Sequence, residues 1–130
     1  MTPRQYDALS VAVLAASAVL GVVLLSSLPD RFAIHFGTSG APDSFTSPLV
    51  GVFLLPVVGA GTLVFVRGVS SVAGTEDVPP AFGLLLSSFL AYVQVVVLAW
   101  NLGYPVDVGV AVLPGVLVLL VAGLAIDRLY

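Results

Sequence analysis

The chain has 130 residues, of which 59% are hydrophobic and 8% are charged, and its net charge is −3. Soluble domains carry about one quarter charged residues, and a domain of this length cannot hide so much apolar surface from water. Lipid is therefore the expected surrounding. The absence of cysteine excludes disulfides, thiol catalysis and cysteine metal sites. No basic patch is present, which argues against nucleic acid as a partner.

Four apolar runs are long enough to cross a bilayer, which takes about 20 residues per helix. Backbone polar groups find no water in hydrocarbon, so each run is expected to form a helix. The first run is too long for the apolar part of a signal peptide. The sequence predicts one all-α integral membrane domain, residues 1–130, with four transmembrane helices and a long outer loop between the first two. The helices predicted are about 8–28, 49–66, 81–102 and 107–126, and the loop is 29–47.

Residues that favour helix ends flank these runs. Thr2, Pro3 and Gln5 are typical of an N-cap, a first-turn proline and a capping box. Asp77 is expected near the positive end of the third helix, and Asp107 is expected to cap the fourth.

Polar and small residues inside the runs predict helix contacts. Pro56 and Pro114 each remove a backbone donor, which membrane helices tolerate where neighbours repair the lost bond. Gln94 is predicted to face another helix, because an unpaired amide in lipid is costly, and a hydrogen bond is favoured there over a substrate contact. Small residues spaced by four predict close helix approach. They are Ala8, Ala12 and Ala16; Ser17 and Gly21; Ser87 and Ala91; Ala111 and Gly115.

The arginines predict the orientation. Arg4, Arg67 and Arg128 fall on one side of a four-helix topology, whereas Arg31 falls on the other. Positive charge is retained inside, so both termini are expected in the cytoplasm and the outer loop is expected to face outward from the cell membrane. Aromatic residues suited to the two membrane surfaces are Tyr6 and Tyr130 inside, and Trp100 and Tyr104 outside.

The outer loop, within LPDRFAIHFGTSGAPDSFTSP at 28–48, contains the only histidine of the chain. A connection this long is often functional or packed. Residues 32–36 alternate as in a short extended segment. Its three larger apolar side chains are expected to press on the helix ends, with Ala33 and His35 on the opposite face. Glycine and proline then predict turns.

This loop resembles the signature of the domain of unknown function found at the N-terminus of SdpI-type bacteriocin immunity proteins. Seven residues match that pattern: Leu28, Pro29, Asp30, His35, Gly40, Asp43 and Ser47. Phe32-Ala33 stands where Ile-Pro is usual, Gly37 where asparagine is usual and Pro48 where lysine is usual. The resemblance implies a multi-pass membrane protein that protects against a secreted toxin, in some cases with capture of a repressor at the membrane.

The resemblance indicates a ligand-binding or functional loop formed by Asp30, His35, Gly40 and Asp43. Its partners would be the lipid bilayer and a peptide toxin, a repressor, another membrane protein or a second copy of the chain. Asp30, His35 and Asp43 are a weak metal candidate, and hydrogen bonds within the loop are favoured over metal binding. No cofactor is predicted.

Two other classes of function are weighed. An enzyme is not predicted, because one histidine and no cysteine exclude HExxH and thiol chemistry, and no triad motif joins His35 to a serine. The remaining alternative is an accessory or structural subunit that packs against a larger membrane transporter or complex.

Overall fold

The structure, a computed structural model, describes residues 1–74 and 78–129. Within these residues, four helices are long and apolar enough to cross a membrane, and the predicted four-helix membrane fold is confirmed. The elements in chain order are α1 (Pro3–Val23), a 3-10 turn (Leu25–Ser27), β1 (Phe32–Phe36), β2 (Pro42–Thr46), α2 (Pro48–Ala73), α3 (Pro80–Asn101) and α4 (Val108–Leu129). The roles predicted for Asp77 and Tyr130 fall outside the described residues.

The first helix begins at its predicted cap but ends early. Thr2 Oγ1 accepts a hydrogen bond from the Gln5 amide at 3.1 Å, and Gln5 Oε1 accepts one from the Thr2 amide at 2.8 Å. This capping box fixes the start at Pro3. The helix ends at Val23 rather than near residue 28. A 3-10 turn at Leu25–Ser27 follows the helix, and Leu28, the residue before Pro29, is extended with a ψ of 150°. The apolar run therefore outlasts the helix.

The second helix continues past the predicted boundary at residue 66. Arg67 lies within it, and its Nη2 contacts the Asp7 carboxylate of α1 at 2.8 Å. Gly74 adopts a left-handed conformation, with a φ of 67°, and ends the helix. A charged residue therefore marks where the apolar run stops, whereas a left-handed glycine marks where the helix stops.

The third helix occupies the centre of the bundle and packs against the other three. Ser87, Gln94 and Asn101 recur every seven residues along it, and all three are buried. On α1, the predicted contact at Ser17 and Gly21 is present, because both residues are buried. The contact predicted at Ala8, Ala12 and Ala16 is wrong, since these alanines lie on the exposed face of α1.

The connection between α1 and α2 contains a β-hairpin, which the all-α prediction did not include. β1 and β2 pair in antiparallel register, with Phe32 opposite Thr46 and Ala33 opposite Phe45. The predicted extended segment is β1, and Phe32 is buried as expected. Ala33 is also buried, contrary to the predicted alternation, and its backbone bonds to the buried Asn101 side chain of α3. The register shifts farther along β1, between Ala33 and His35 and again between His35 and Phe36. Such a shift breaks the two-residue period of a strand.

A cluster of buried apolar side chains lies where the hairpin meets the helices. It is formed by Leu28, Phe32, Val52, Val97 and Leu98. The cluster joins the residue after the 3-10 turn and the first residue of β1 to α2 and α3. The hairpin is therefore a packed part of the fold rather than a loose tether between helices.

Candidate functional site

The hairpin is fixed to the end of α3 by a side chain that takes the place of a third strand. Asn101 Oδ1 accepts a hydrogen bond from the Ala33 amide at 2.8 Å, and Asn101 Nδ2 donates to the Ala33 carbonyl oxygen at 3.0 Å. The same Nδ2 donates to the Val97 carbonyl oxygen at 2.9 Å. Both residues are buried, so these bonds satisfy groups that water does not reach.

Two aromatic contacts hold the hairpin on the ends of α2 and α3. Phe32 is 1% exposed and its ring lies against the backbone of α2 at Gly51, where a Cβ atom would overlap the ring. Phe36 meets Trp100 of α3 edge to face, with 5.2 Å between ring centroids and 73° between ring planes. Such T-shaped pairs are favourable beyond the apolar area that they bury. The hairpin is thus held by α2 and α3 together.

The predicted site residues His35 and Asp43 meet across the hairpin. His35 Nδ1 lies 2.6 Å from Asp43 Oδ1, and the two side chains are 70% and 52% exposed. His35 is opposite Ser44 in the strand register, so the pair joins β1 to β2 on the solvent side. Its exposure leaves imidazole Nε2 and the second carboxylate oxygen able to contact a ligand.

The other two predicted residues lie apart from this pair. Among the described residues, Asp30 makes no hydrogen bond and no ion pair with His35 or Asp43. Gly40 occupies the turn with a φ of 84°, a left-handed conformation that favours glycine. A Cβ atom there would lie 3.6 Å from the Asp107 carboxylate, so the turn approaches the start of α4. Asp107 Oδ1 also accepts a hydrogen bond from the Val110 amide at 3.1 Å, as predicted for the cap of that helix.

Metal ligation was weighed from the sequence for Asp30, His35 and Asp43. In the described part of the chain, no group of three or more His, Cys, Asp or Glu side chains is arranged to hold a metal ion. Asp30 is exposed, and the other two side chains engage each other. The arrangement that the structure does form is an exposed imidazole–carboxylate pair on a rigid hairpin.

A second feature of the hairpin surface is an arginine stacked on an aromatic ring. Arg31 Cζ lies 4.2 Å from the centroid of the Phe45 ring, which is a cation–π geometry. Phe45 is 38% exposed, whereas the aromatic residues of β1 are packed on the helices. The solvent-facing ring of β2 therefore lies beside a cationic group from the residue that precedes β1.

Gln94 lies among three helices, deep beneath the hairpin. Its Nε2 donates to the Val52 carbonyl oxygen of α2 at 2.8 Å and approaches the Ser17 carbonyl oxygen of α1 at 3.4 Å. Val52 precedes Pro56 by four residues, so its carbonyl would accept an intrahelical bond from an amide that proline lacks. The Gln94 side chain supplies the missing donor, which assigns it a role within the fold.

Sequence reasoning did not identify the residues that anchor the hairpin. Asn101 was not singled out, and Gly51 was not distinguished from other glycines in apolar runs. A seven-residue spacing of polar residues along α3 is the signal that could have found Asn101, since Gln94 was singled out one heptad earlier. No sequence pattern indicates which glycine meets Phe32.

The fold and the site define a helical, multi-pass membrane protein with a structured hairpin at one end of its bundle. Residues 12–60 match a family model described as a domain of unknown function, DUF1648. The matched segment contains most of α1, the whole hairpin and the first half of α2. DUF1648 occurs in SdpI-like membrane proteins. Comparison with curated proteins and with solved structures gave no match.

Proposed function

We propose that the chain is an SdpI-like protein of the cell membrane that recognises a ligand through its hairpin and acts in immunity or signalling. The observation that carries this proposal is the anchored hairpin with its exposed His35–Asp43 pair. The family match supports it, because the matched segment contains the whole hairpin and the part of α2 on which Phe32 packs. In this proposal the chain binds and does not catalyse.

The orientation completes the proposal. The excess of arginine at the opposite end of the bundle favours a cytoplasmic location for the termini, so the hairpin would face outward. A secreted peptide toxin would then meet it directly. A repressor, in contrast, would be captured at the cytoplasmic end, where Arg67 and Asp7 join α2 to α1.

The exposed ion pair of the hairpin can be removed to test binding without disrupting the fold. Exposed ion pairs contribute little to stability, with a usual range of about 0 to 1 kcal/mol. A His35→Ala, Asp43→Ala double variant is therefore expected to insert and fold while losing recognition. Asp7→Ala is the matched control, because it also removes an exposed ion pair but at the opposite end of the molecule.

The experiment is a survival assay in cells that lack the native gene. Cells expressing each variant are challenged with the concentrated peptide fraction secreted by the source strain, and membrane levels of the protein are measured alongside. We expect the double variant to lose protection at normal membrane levels and Asp7→Ala to retain it. Full protection by the double variant would contradict the proposal.

The second candidate function is that of an accessory subunit in a larger membrane complex, or of one copy in a homo-oligomer. This second function is favoured by α4, which packs mainly on α3. None of the 18 residues in the most apolar window of α4 is fully buried. Beside it, an apolar groove of about 820 Å³ runs between α2, α3 and α4. Crosslinking in membranes tests this function: a substitution that fills the groove, Gly123→Trp, should release a bound subunit without changing hairpin-dependent protection.

A further inference from the structure

Among the described residues, no second strand pairs with β2, and the position of Asn101 shows which backbone groups lie along its open edge. In an antiparallel pair, two residues directly opposite each other either bond to each other or point their N–H and C=O groups away from the partner strand. Ala33 points both groups at Asn101, on the side away from β2. Phe45 is opposite Ala33. The Phe45 N–H and C=O groups therefore point away from β1, to the free side of β2.

The two edges of the hairpin are thus unlike. The edge of β1 is covered by the ends of α2 and α3, and Asn101 closes it at Ala33. β2 packs mainly against β1, and its central residues 43–45 are exposed. An unpaired strand edge is a template for another strand. Here the template is held rigid by the helices, so adding a strand would require little rearrangement of the protein.

We propose that the β2 edge binds an extended, positively charged peptide as a third strand, centred on the Phe45 backbone. This inference rests on the proposed recognition role of the hairpin and names the class of its ligand. Main-chain hydrogen bonds give affinity in this mode, and alternate side chains give specificity. The exposed Phe45 ring, next to Arg31, supplies an apolar contact for one side chain of the added strand.

The net charge at the hairpin end of the bundle determines which peptide charge is preferred. The segments at the hairpin end of the bundle, 24–47 and 102–107, contain three aspartates and one arginine, which gives −2 with His35 neutral. Asp30, Asp43 and Asp107 carry the negative charge. Complementary charge accelerates encounter and disfavours partners of the same sign. A cationic strand is therefore favoured over an acidic one.

The test uses purified protein in zwitterionic lipid nanodiscs and a blocked ten-residue peptide of alternating lysine and valine. Empty nanodiscs correct for binding to lipid. Amide hydrogen exchange of Phe45, followed by NMR, is expected to be fast in the protein alone and slow with the peptide, since strand addition makes the amide a donor. A glutamate–valine peptide is expected to bind more weakly because of its charge. A lysine–valine peptide N-methylated at every amide is expected to bind at least about tenfold more weakly, the factor that one lost hydrogen bond can give.

Two variants at one position isolate the backbone group. Phe45→Pro and Phe45→Ala both remove the ring, but only proline removes the outward N–H, and proline is tolerated on the free side of an edge strand. We expect Phe45→Pro to bind the lysine–valine peptide about tenfold more weakly than Phe45→Ala. The Trp100 resonances report whether the hairpin stays docked. If Phe45→Pro undocks it, the N-methylated peptide still tests strand addition on the unaltered protein, because it lacks the N–H donor for the Phe45 carbonyl oxygen.

Three results would overturn the inference. The first is equal binding by the two variants, and the second is no binding of the lysine–valine peptide at about 1 mM, the weak end of measurable affinity. The third is Phe45 protection that rises with protein concentration alone. The last result would assign the edge to a second copy of the chain. Failure of strand addition is distinguishable from failure of the proposed function. If survival depends on the hairpin but Phe45→Pro has no effect, only strand addition is rejected. If peptide binding depends on Phe45 but the protein gives no protection, only the immunity role is rejected.

Discussion

Gln94 of α3 donates a hydrogen bond to the carbonyl oxygen of Val52, the group that Pro56 leaves without an intrahelical donor. One polar side chain therefore offsets a backbone defect in a different helix. A buried carbonyl with no partner costs about 1 to 3 kcal/mol, so the amide at 94 and the proline at 56 are energetically coupled. This coupling explains why an amide is placed in the middle of an apolar run.

The first prediction is that the cost of Gln94→Leu depends on Pro56. In the native background the substitution is expected to destabilise the protein by about 1 to 2 kcal/mol, because it leaves the Val52 carbonyl unpaired. In a Pro56→Ala background, the backbone amide restored by that substitution can bond to the Val52 carbonyl, and Gln94→Leu should cost less. Reversible unfolding in detergent measures the double-mutant cycle.

Pro114→Ala is the control for that cycle, since its lost bond lies in α4. It should leave the cost of Gln94→Leu unchanged. An equal cost of Gln94→Leu in the native and Pro56→Ala backgrounds would show that the amide does not repair the proline defect. Normal stability of Gln94→Leu with complete loss of activity would instead indicate a ligand contact at Gln94.

The sequence predicts the helices well because their causes are local. Hydrophobic length specifies a membrane span, and the Thr2 capping box and the Asp107 cap act within one helical turn. The interhelical role of Gln94 also follows from its chemistry, because an amide in lipid requires a partner wherever the helices pack. Its particular partner, the Val52 carbonyl, depends on helix arrangement and appears only in the structure.

The hairpin is less predictable because its causes are distant in sequence. β1 was expected from alternation, but Asn101 stabilises it from 68 residues away. The register shifts on both sides of His35, which the alternation along β1 alone does not reveal. The pairing of His35 with Asp43 needs the β2 register, which periodicity does not supply. Asp30 was grouped with them by the family pattern, yet it lies outside the pair.

The second prediction concerns the close approach of Phe32 to α2. Gly51→Ala places a methyl group inside the space of the Phe32 ring, so the ring or the helix must move. Overpacking of this kind costs about 1 to 3 kcal/mol, partly offset by the better helix propensity of alanine. We expect a lower unfolding temperature and faster amide exchange in β1.

Gly61→Ala is the matched control in the same helix, because a Cβ atom there has no neighbour within 4 Å. Alanine should be neutral or stabilising at that position by up to about 1 kcal/mol. Phe32→Leu, introduced together with Gly51→Ala, should recover part of the loss. If Gly51→Ala were as stable as Gly61→Ala, the Phe32 ring would not be packed as described.

The third prediction addresses Asn101. Asn101→Leu preserves approximate side-chain volume but leaves the buried N–H and C=O of Ala33 without partners, at about 1 to 3 kcal/mol for each group. We expect the hairpin to open locally while the helices remain inserted. Amide exchange at Ala33 should accelerate far more than exchange in the middle of α3.

Ser44→Ala is the control for this experiment, because it alters an exposed hairpin side chain and keeps the backbone bonds. It should leave exchange at Ala33 near the native rate. Unchanged Ala33 exchange in Asn101→Leu would contradict the strand-like role of Asn101, and with it the direction assigned to the Phe45 backbone.

The last prediction concerns the orientation of the molecule in the membrane. The native chain has no cysteine, so Ser39→Cys in the hairpin turn and Ser71→Cys near the end of α2 each introduce a single thiol. Both positions are exposed and lie at opposite ends of the bundle. In intact cells, a membrane-impermeant maleimide should label only the thiol at 39, because the arginine excess predicts a cytoplasmic location for the other end. Permeabilised cells should show labelling at both positions, and Gly61→Cys, on the lipid-facing middle of α2, should remain unlabelled throughout. Labelling at 71 alone in intact cells would reverse the topology and place the hairpin in the cytoplasm, where it could not meet a secreted peptide.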